Sequence, residues 1–317
     1  KGGSEVIGKE QKLFAGNFIM LVGAFNNKVK RIYPDGSEVS TPFNDVSGVS
    51  DICVNPLFGV YILINNEIRR RKLNGDTVWV FKDQSNGNSD GHTDYIESIT
   101  VDSNGNVYST SRDETVKKID SDGNLVWTFN GHSGTVYDVA VDPNNEYVYS
   151  AGGYQDEKVR KININNNSEI TDENWPFTRH SNNVYVLAVD SNGYVYSGSF
   201  DNTLKKIDPK TGNEIWSFNE HSGTILTIAI DSNGYIYSGS QDDTMKKINP
   251  ADGSEIWSFN EHNGSVRDIA IDSDGYIYSG SDDSTLRKID FDGNEIWSFS
   301  EFTGDNIVSN IGLYSSY

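Results

Sequence analysis

The side chains best suited to proton transfer or metal ligation are five histidines, and all of them stand at one position of a repeat. They are His92, His132, His180, His221 and His262. The last four each follow a tryptophan by five residues, and His92 follows Trp79 by thirteen, behind an insertion. The six tryptophans keep the same rhythm: Trp79, Trp127, Trp175, Trp216, Trp257 and Trp297 lie 48, 48, 41, 41 and 40 residues apart. Histidine can carry a proton or hold a metal ion, and indole rings can stack on ligands. Either use needs a unique cluster. Residues that recur once per unit are dispersed with the units, too far apart to chelate one ion. No histidine or tryptophan is left over for a private active site, so no catalytic, cofactor-binding or metal-ligating residues are expected.

The remaining chemistry is sparse. Cys53 is the only cysteine, which excludes an internal disulfide. It lies in Asp51-Ile52-Cys53-Val54, a strand-like run, and reads as a buried core thiol. Asp272-Ser273-Asp274-Gly275 and Asp290-Phe291-Asp292-Gly293 hint at Ca2+. The full calcium-loop pattern is absent, and plain turns are the favoured reading.

Self-similarity at a period of about 40 residues marks an array of supersecondary units. In the unit that opens at His221, Ile225–Asp231 is apolar and β-branched, as a strand should be. Ser232-Asn233-Gly234 is a hairpin signal, and Tyr235–Ser240 is a second strand. Thr244–Ile248 and Ser254–Phe259 follow as third and fourth, across turns rich in Asp, Pro and Gly. Four short antiparallel strands per unit make one propeller blade. Six such units start near residues 44, 92, 132, 180, 221 and 262. The segments 18–25, 28–32 and 38–43 supply strands two to four of another, and 303–313 supplies a lone strand one. Pairing these fragments would close the ring and remove an open sheet edge. The expectation is an all-β, seven-bladed β-propeller over residues 13–317, with four antiparallel strands per blade. Residues 1–12 read as a polar tail or linker.

The repeat resembles two propeller families. His221-Ser222-Gly223-Thr224-Ile225-Leu226, followed by Tyr237-Ser238-Gly239-Ser240-Gln241-Asp242-Asp243-Thr244, is similar to the first half of a WD40 repeat. The Trp-Asp dipeptide itself is missing; Ile207-Asp208, Ile248-Asn249 and Ile289-Asp290 stand in its place. Asp208, Thr211, Gly212 and Trp216 resemble the quinoprotein (PQQ-like) repeat. The WD40 likeness implies a hydrogen bond from each histidine to an aspartate of the turn between strands two and three. Those acids are Asp113, Asp201, Asp242 and Asp283, with Asp156 displaced by an insertion. The quinoprotein likeness raises a PQQ-dependent dehydrogenase. Those enzymes usually have eight blades and often a pair of adjacent cysteines, so the likeness is read as one of shape.

The repeated residues therefore read as structural. One large aromatic per blade suits docking between blades. A basic pair on strand three, such as Lys205/Lys206 and Lys246/Lys247, puts one cation toward the blade interface. It should meet an aromatic face or an acid there. Binding is better sought where the repeat departs from itself. Lys82, Gln84, Asn86, Asn88 and Asp90 lengthen the loop before His92. Asn167, Glu169 and Asp172 lie in a second insertion, and Phe302 replaces a histidine.

A net charge of −20 repels phosphate backbones and argues against nucleic acid. No apolar run approaches the roughly 20 residues that cross a bilayer as a helix. The expected role is a non-enzymatic scaffold presenting one face to a protein or glycan partner. The Asn-, Ser-, Tyr- and Gly-rich acidic composition would suit a bacterial surface protein or a phage tail (virion) component, extracellular rather than cytoplasmic. The competing expectation is a glycan-active hydrolase or lyase with carboxylates at the channel mouth.

Overall fold

The structure is a computed structural model. It describes residues 18–23, 29–39, 49–72, 74–84, 89–172, 174–300 and 307–314. The β-branched and apolar runs form short antiparallel strands in seven sheets. Six sheets are continuous in sequence, and we number them as blades 1 to 6. Their inner strands are Val49–Asn55, Ile96–Val101, Val136–Val141, Val184–Val189, Ile225–Ile230 and Val266–Ile271. The seventh is a seam sheet, in which Val308–Tyr314 pairs with Phe18–Gly23, opposing Ile311 to Leu21 and Leu313 to Ile19. The inner strands neighbour one another in a closed circuit that runs from blade 1 through blade 6 to Val308–Tyr314 and back to Val49–Asn55.

The expected propeller of seven four-stranded blades is corrected: among the described residues only six sheets are complete with four strands. Blade 3 has only three strands, ending with Val159–Asn163. Its fourth strand is reduced to isolated bridges, Val159 to Phe177 and Ile162 to Glu169. The insertion that lengthens this unit turns back through Asn167 at φ +58° and reaches a cis Trp175–Pro176 bond. Proline has no N–H to give a ladder.

Blades are joined by a repeated dock. Five of the six indoles donate Nε1–H to a turn carbonyl of the next sheet: Trp79 to Ser121 at 2.9 Å, Trp127 to Ile164 at 3.0 Å, and Trp216 to Pro250, Trp257 to Phe291 and Trp297 to Pro34 at 3.1 Å. Four of these turns, those that receive Trp79, Trp216, Trp257 and Trp297, carry a glycine with positive φ that faces the ring. A Cβ on Gly253 would sit 2.8 Å from Trp216, and one on Gly123 3.0 Å from Trp79. Glycine is required there twice over, by backbone and by space. The strand-three cation reinforces the dock. Lys206, Lys247 and Lys288 donate to Pro250, Phe291 and Pro34 at 2.9–3.0 Å, sharing the indole's acceptor. Their ammonium groups also lie over tyrosine rings, Lys288 4.0 Å from that of Tyr276. Burial lowers their pKa values.

Trp175 breaks the rule. It is buried, but its Nε1 finds no acceptor among the described residues, and Lys161 alone takes the Pro209 carbonyl. Loss of the outer strand in blade 3 removes the register that would aim the indole.

At the seam, Trp297 and Lys288 both reach Pro34. Val308 packs so closely on Gly280 that a Cβ there would meet it at 2.5 Å. Deleting residues 307–317 should therefore expose the inner edge of Phe18–Gly23 and the flank of blade 6. The expected result is a lower thermal midpoint with concentration-dependent aggregation, read by calorimetry and light scattering. An unchanged midpoint would contradict the seam.

Candidate functional site

The histidines form five copies of one bonding unit. His92, His180, His221 and His262 place Nδ1 2.8–2.9 Å from Asp113, Asp201, Asp242 and Asp283. Their Nε2 atoms lie 2.8 Å from Ser109, Ser197, Ser238 and Ser279. His132 pairs with Asp156 and Ser150 in the same way, and Arg160 adds a second partner to Asp156. His132, His180, His221 and His262 each meet a phenylalanine edge-on, as His221 does Phe218 at 5.8 Å. The unit ties the start of an inner strand to the turn between strands two and three.

Burial alone would raise these carboxyls. Hydrogen bonds from the imidazole, a threonine hydroxyl and a backbone N–H outweigh it and hold Asp113, Asp201, Asp242 and Asp283 well below the usual range. Burial pushes His92 and His132 down, against the pull of their aspartates, so the neutral imidazole–carboxylate form is favoured. Every polar atom of the unit is occupied, which leaves it nothing to offer a substrate.

The insertions are also engaged. Asn167 donates to the Thr128 carbonyl of blade 2 at 2.9 Å, and Glu169 pairs with Arg160 at 2.6 Å. Gln84 bonds Ser89 within its own loop. Lys82, Asp90 and Asp172 are exposed. Asn86, Asn88 and Phe302 lie outside the described residues.

What the structure brings together is the central channel, a cavity of about 750 Å³ walled by the inner strands. Midway along it runs a belt set by one strand position: Asp51, Ser98, Asp138, Val186, Thr227, Asp268 and Asn310. Each acid takes a backbone N–H of the next sheet: Asp51 from Ile99 at 2.8 Å, Asp138 from Leu187 at 2.8 Å, Asp268 from Ile311 at 2.6 Å. Those N–H groups lie on the open edge of inner strands that pair on one side only, just past a register shift such as that between Ile96 and Ser98. Asn310 completes the seam by donating to the Ser50 carbonyl at 2.8 Å. Burial pushes Asp138 and Asp268 up to about 7 and also raises Asp51. The belt was missed at the sequence level, because no motif announces which strand residue turns inward at a bulge.

The mouth on the histidine-bearing face is different in kind. Tyr137, Tyr185 and Phe200 pack as a half-buried trio with centroids 5.4–6.0 Å apart. Arg267 makes a bidentate pair with Asp282 at 2.6 and 2.8 Å. Arg112 pairs with Glu97 and covers the Tyr95 ring at 5.0 Å. Among the described residues no group of three His, Cys, Asp or Glu side chains could hold a metal ion.

The histidine units carry the acid sensitivity. A carboxyl with a depressed pKa contributes stability above its unfolded value, near 3.9, and loses it as pH falls toward the folded value. Asp242→Asn should cost about 1–3 kcal/mol at neutral pH in urea unfolding. The difference from the unmodified chain should shrink as pH drops below about 4. A pH-independent difference would contradict the assignment.

Comparison with known proteins places this geometry. Residues 200–311 match the PQQ_2 family model, described as outer membrane protein assembly factor BamB. Residues 123–161 and 173–208 match the WD40 model, described as WD domain, G-beta repeat. No curated protein matches the chain. Among solved structures, the WD40 beta propeller domain of Doa1 superposes with a TM-score of 0.72 at 20% identity, covering 86% of this chain and 88% of that one. At that identity the likeness is one of fold alone, and propellers host many unrelated functions. The chain has the WD40-type β-propeller fold, built from repeats that match the WD40 and PQQ_2 models.

Proposed function

We propose that this chain is a non-enzymatic platform that docks a protein partner over the channel mouth, on the histidine-bearing face. The observation that carries the reading is where the repeats differ. The docking indoles, buried tyrosines, histidines and their serines recur from blade to blade. The second residue of the inner strand does not: it is Ser50, Glu97, Tyr137, Tyr185, Leu226, Arg267 and Ser309. Nor does the residue before the turn aspartate, which is Arg112, Phe200, Gln241 and Asp282. Both variable positions converge on the mouth. Aromatic rings and arginines ringed by polar groups are what protein interfaces use.

A glycan platform would present a flat, open ring. The trio here is tilted ring against ring by 31–47°, and five of the six indoles are committed to blade docking. The cell-surface and phage-tail settings rest on composition alone, and no mouth residue argues for them. The channel carboxylates serve main-chain N–H groups, which weakens the hydrolase or lyase alternative.

The double variant Tyr185→Ala/Phe200→Ala should weaken partner binding at least about ten-fold, roughly 1.4 kcal/mol, while leaving the thermal midpoint near that of the unmodified chain. Leu57, 85% exposed on the opposite face, is the control. Leu57→Ala should leave affinity unchanged in quantitative co-precipitation. Loss of binding at Leu57 with retention in the double variant would reverse the face. Binding of glycans in place of proteins would overturn the choice of partner.

A further inference from the structure

The channel belt contains a proton-counting problem. Ser98 Oγ lies 3.2 Å from Asp51 Oδ2 and 2.9 Å from Asp138 Oδ1. A hydroxyl has one hydrogen and can donate to only one carboxylate. The second contact is favourable only if that carboxyl carries a proton and donates to Ser98. We propose that Asp51, Ser98 and Asp138 share a single proton, which locks the inner strands of blades 1 to 3 at acidic and neutral pH and is lost at alkaline pH.

The surroundings favour keeping that proton. Asp51 and Asp138 both sit deep in the channel, where burial raises each carboxyl, and the charge of Asp51 raises Asp138 further. Both oxygens of each carboxyl also accept backbone N–H groups: Asp51 Oδ1 from Ile52 and Asp138 Oδ2 from Leu187, while the oxygens facing Ser98 accept from Ile99 and Val139. One ionised and one protonated member therefore meet every bond in the chain of atoms.

The other titratable groups facing this stretch do not supply a counter-charge. Cys53, on the strand of Asp51, is a thiol whose pKa burial raises well above its usual value. Glu97 is engaged by Arg112, and Arg267 by Asp282. Tyr137 and Tyr185 are pushed up by burial. Asp268, across the channel, adds negative charge when ionised. The inner strands of blade 5 and of the seam contribute Thr227 and Asn310, which are neutral.

The direction of the pH effect follows. A carboxyl whose folded pKa is raised contributes stability below its unfolded value and loses it as pH rises through the folded one. This is opposite in sign to the histidine units, so the two devices bracket a window of maximal stability.

The test is a carboxyl-carbon NMR titration of the full chain, labelled at aspartate. One carboxyl of the Asp51–Asp138 pair should titrate above about pH 6, well beyond the ordinary value near 3.9. In Asp51→Asn the like charge is gone and Ser98 is free to donate to Asp138. The Asp138 midpoint should then fall by about one unit or more, a ten-fold change in proton affinity. Burial acting alone would leave it in place, and that result would overturn the proposal. Both carboxyls ionised at about pH 6 in the unmodified chain would overturn it too. If Asp51→Asn does not fold, the titration of the unmodified chain decides.

Discussion

The structure depends on one contact repeated around a circle: an indole and a strand-three cation of one sheet converging on a turn carbonyl of the next. A propeller sheet has little contact with its neighbours beyond its flanks, and each flank is too small to be stable alone. Where it is complete, the dock gives a flank a packed indole, a directed hydrogen bond and a cation that stands over an aromatic ring. At blade 6 the receiving carbonyl belongs to Pro34, more than two hundred residues earlier. The local motif thereby becomes the closure of the ring.

That constraint explains the order of the remaining features. Once the sheets are held as a ring, their inner strands meet around a channel, and as sheet edges these strands leave N–H groups without sheet partners. The belt acids satisfy them. At the outer end of the same strands, the histidine–aspartate–serine units pin the turns. Between belt and turns lies the mouth, the part of the wall not required by either. It is free to carry Tyr137, Tyr185, Phe200 and Arg267, and this freedom is why we place partner binding there.

Much of this was legible in the sequence because it repeats. The tryptophan spacing and the histidine–aspartate pairing each recur often enough to separate rule from accident, and the complementary chain ends pointed to the seam pairing of Val308–Tyr314 with Phe18–Gly23. The buried tyrosines were also visible in principle. Tyr108, Tyr196, Tyr237 and Tyr278 donate to Asp102, Asp190, Asp231 and Asp272, each six residues earlier. What single events decide was not legible. The longer spacing before Trp175 revealed an insertion, but not that it dissolves the outer strand of blade 3 and leaves the indole without an acceptor among the described residues. The belt acids look like ordinary strand residues until the bulge turns them inward. The insertions looked like binding loops, yet Asn167 and Glu169 are spent on Thr128 and Arg160.

The claim that the ring is closed by both chain ends can be tested by amide hydrogen exchange along Val308–Tyr314. In a closed ring these amides should exchange as slowly as those of Val266–Ile271, the inner strand beside them, and should open only with the whole molecule. Exchange at the rate of an unfolded peptide, while Val266–Ile271 stays protected, would mean that the tail is not a strand of the ring.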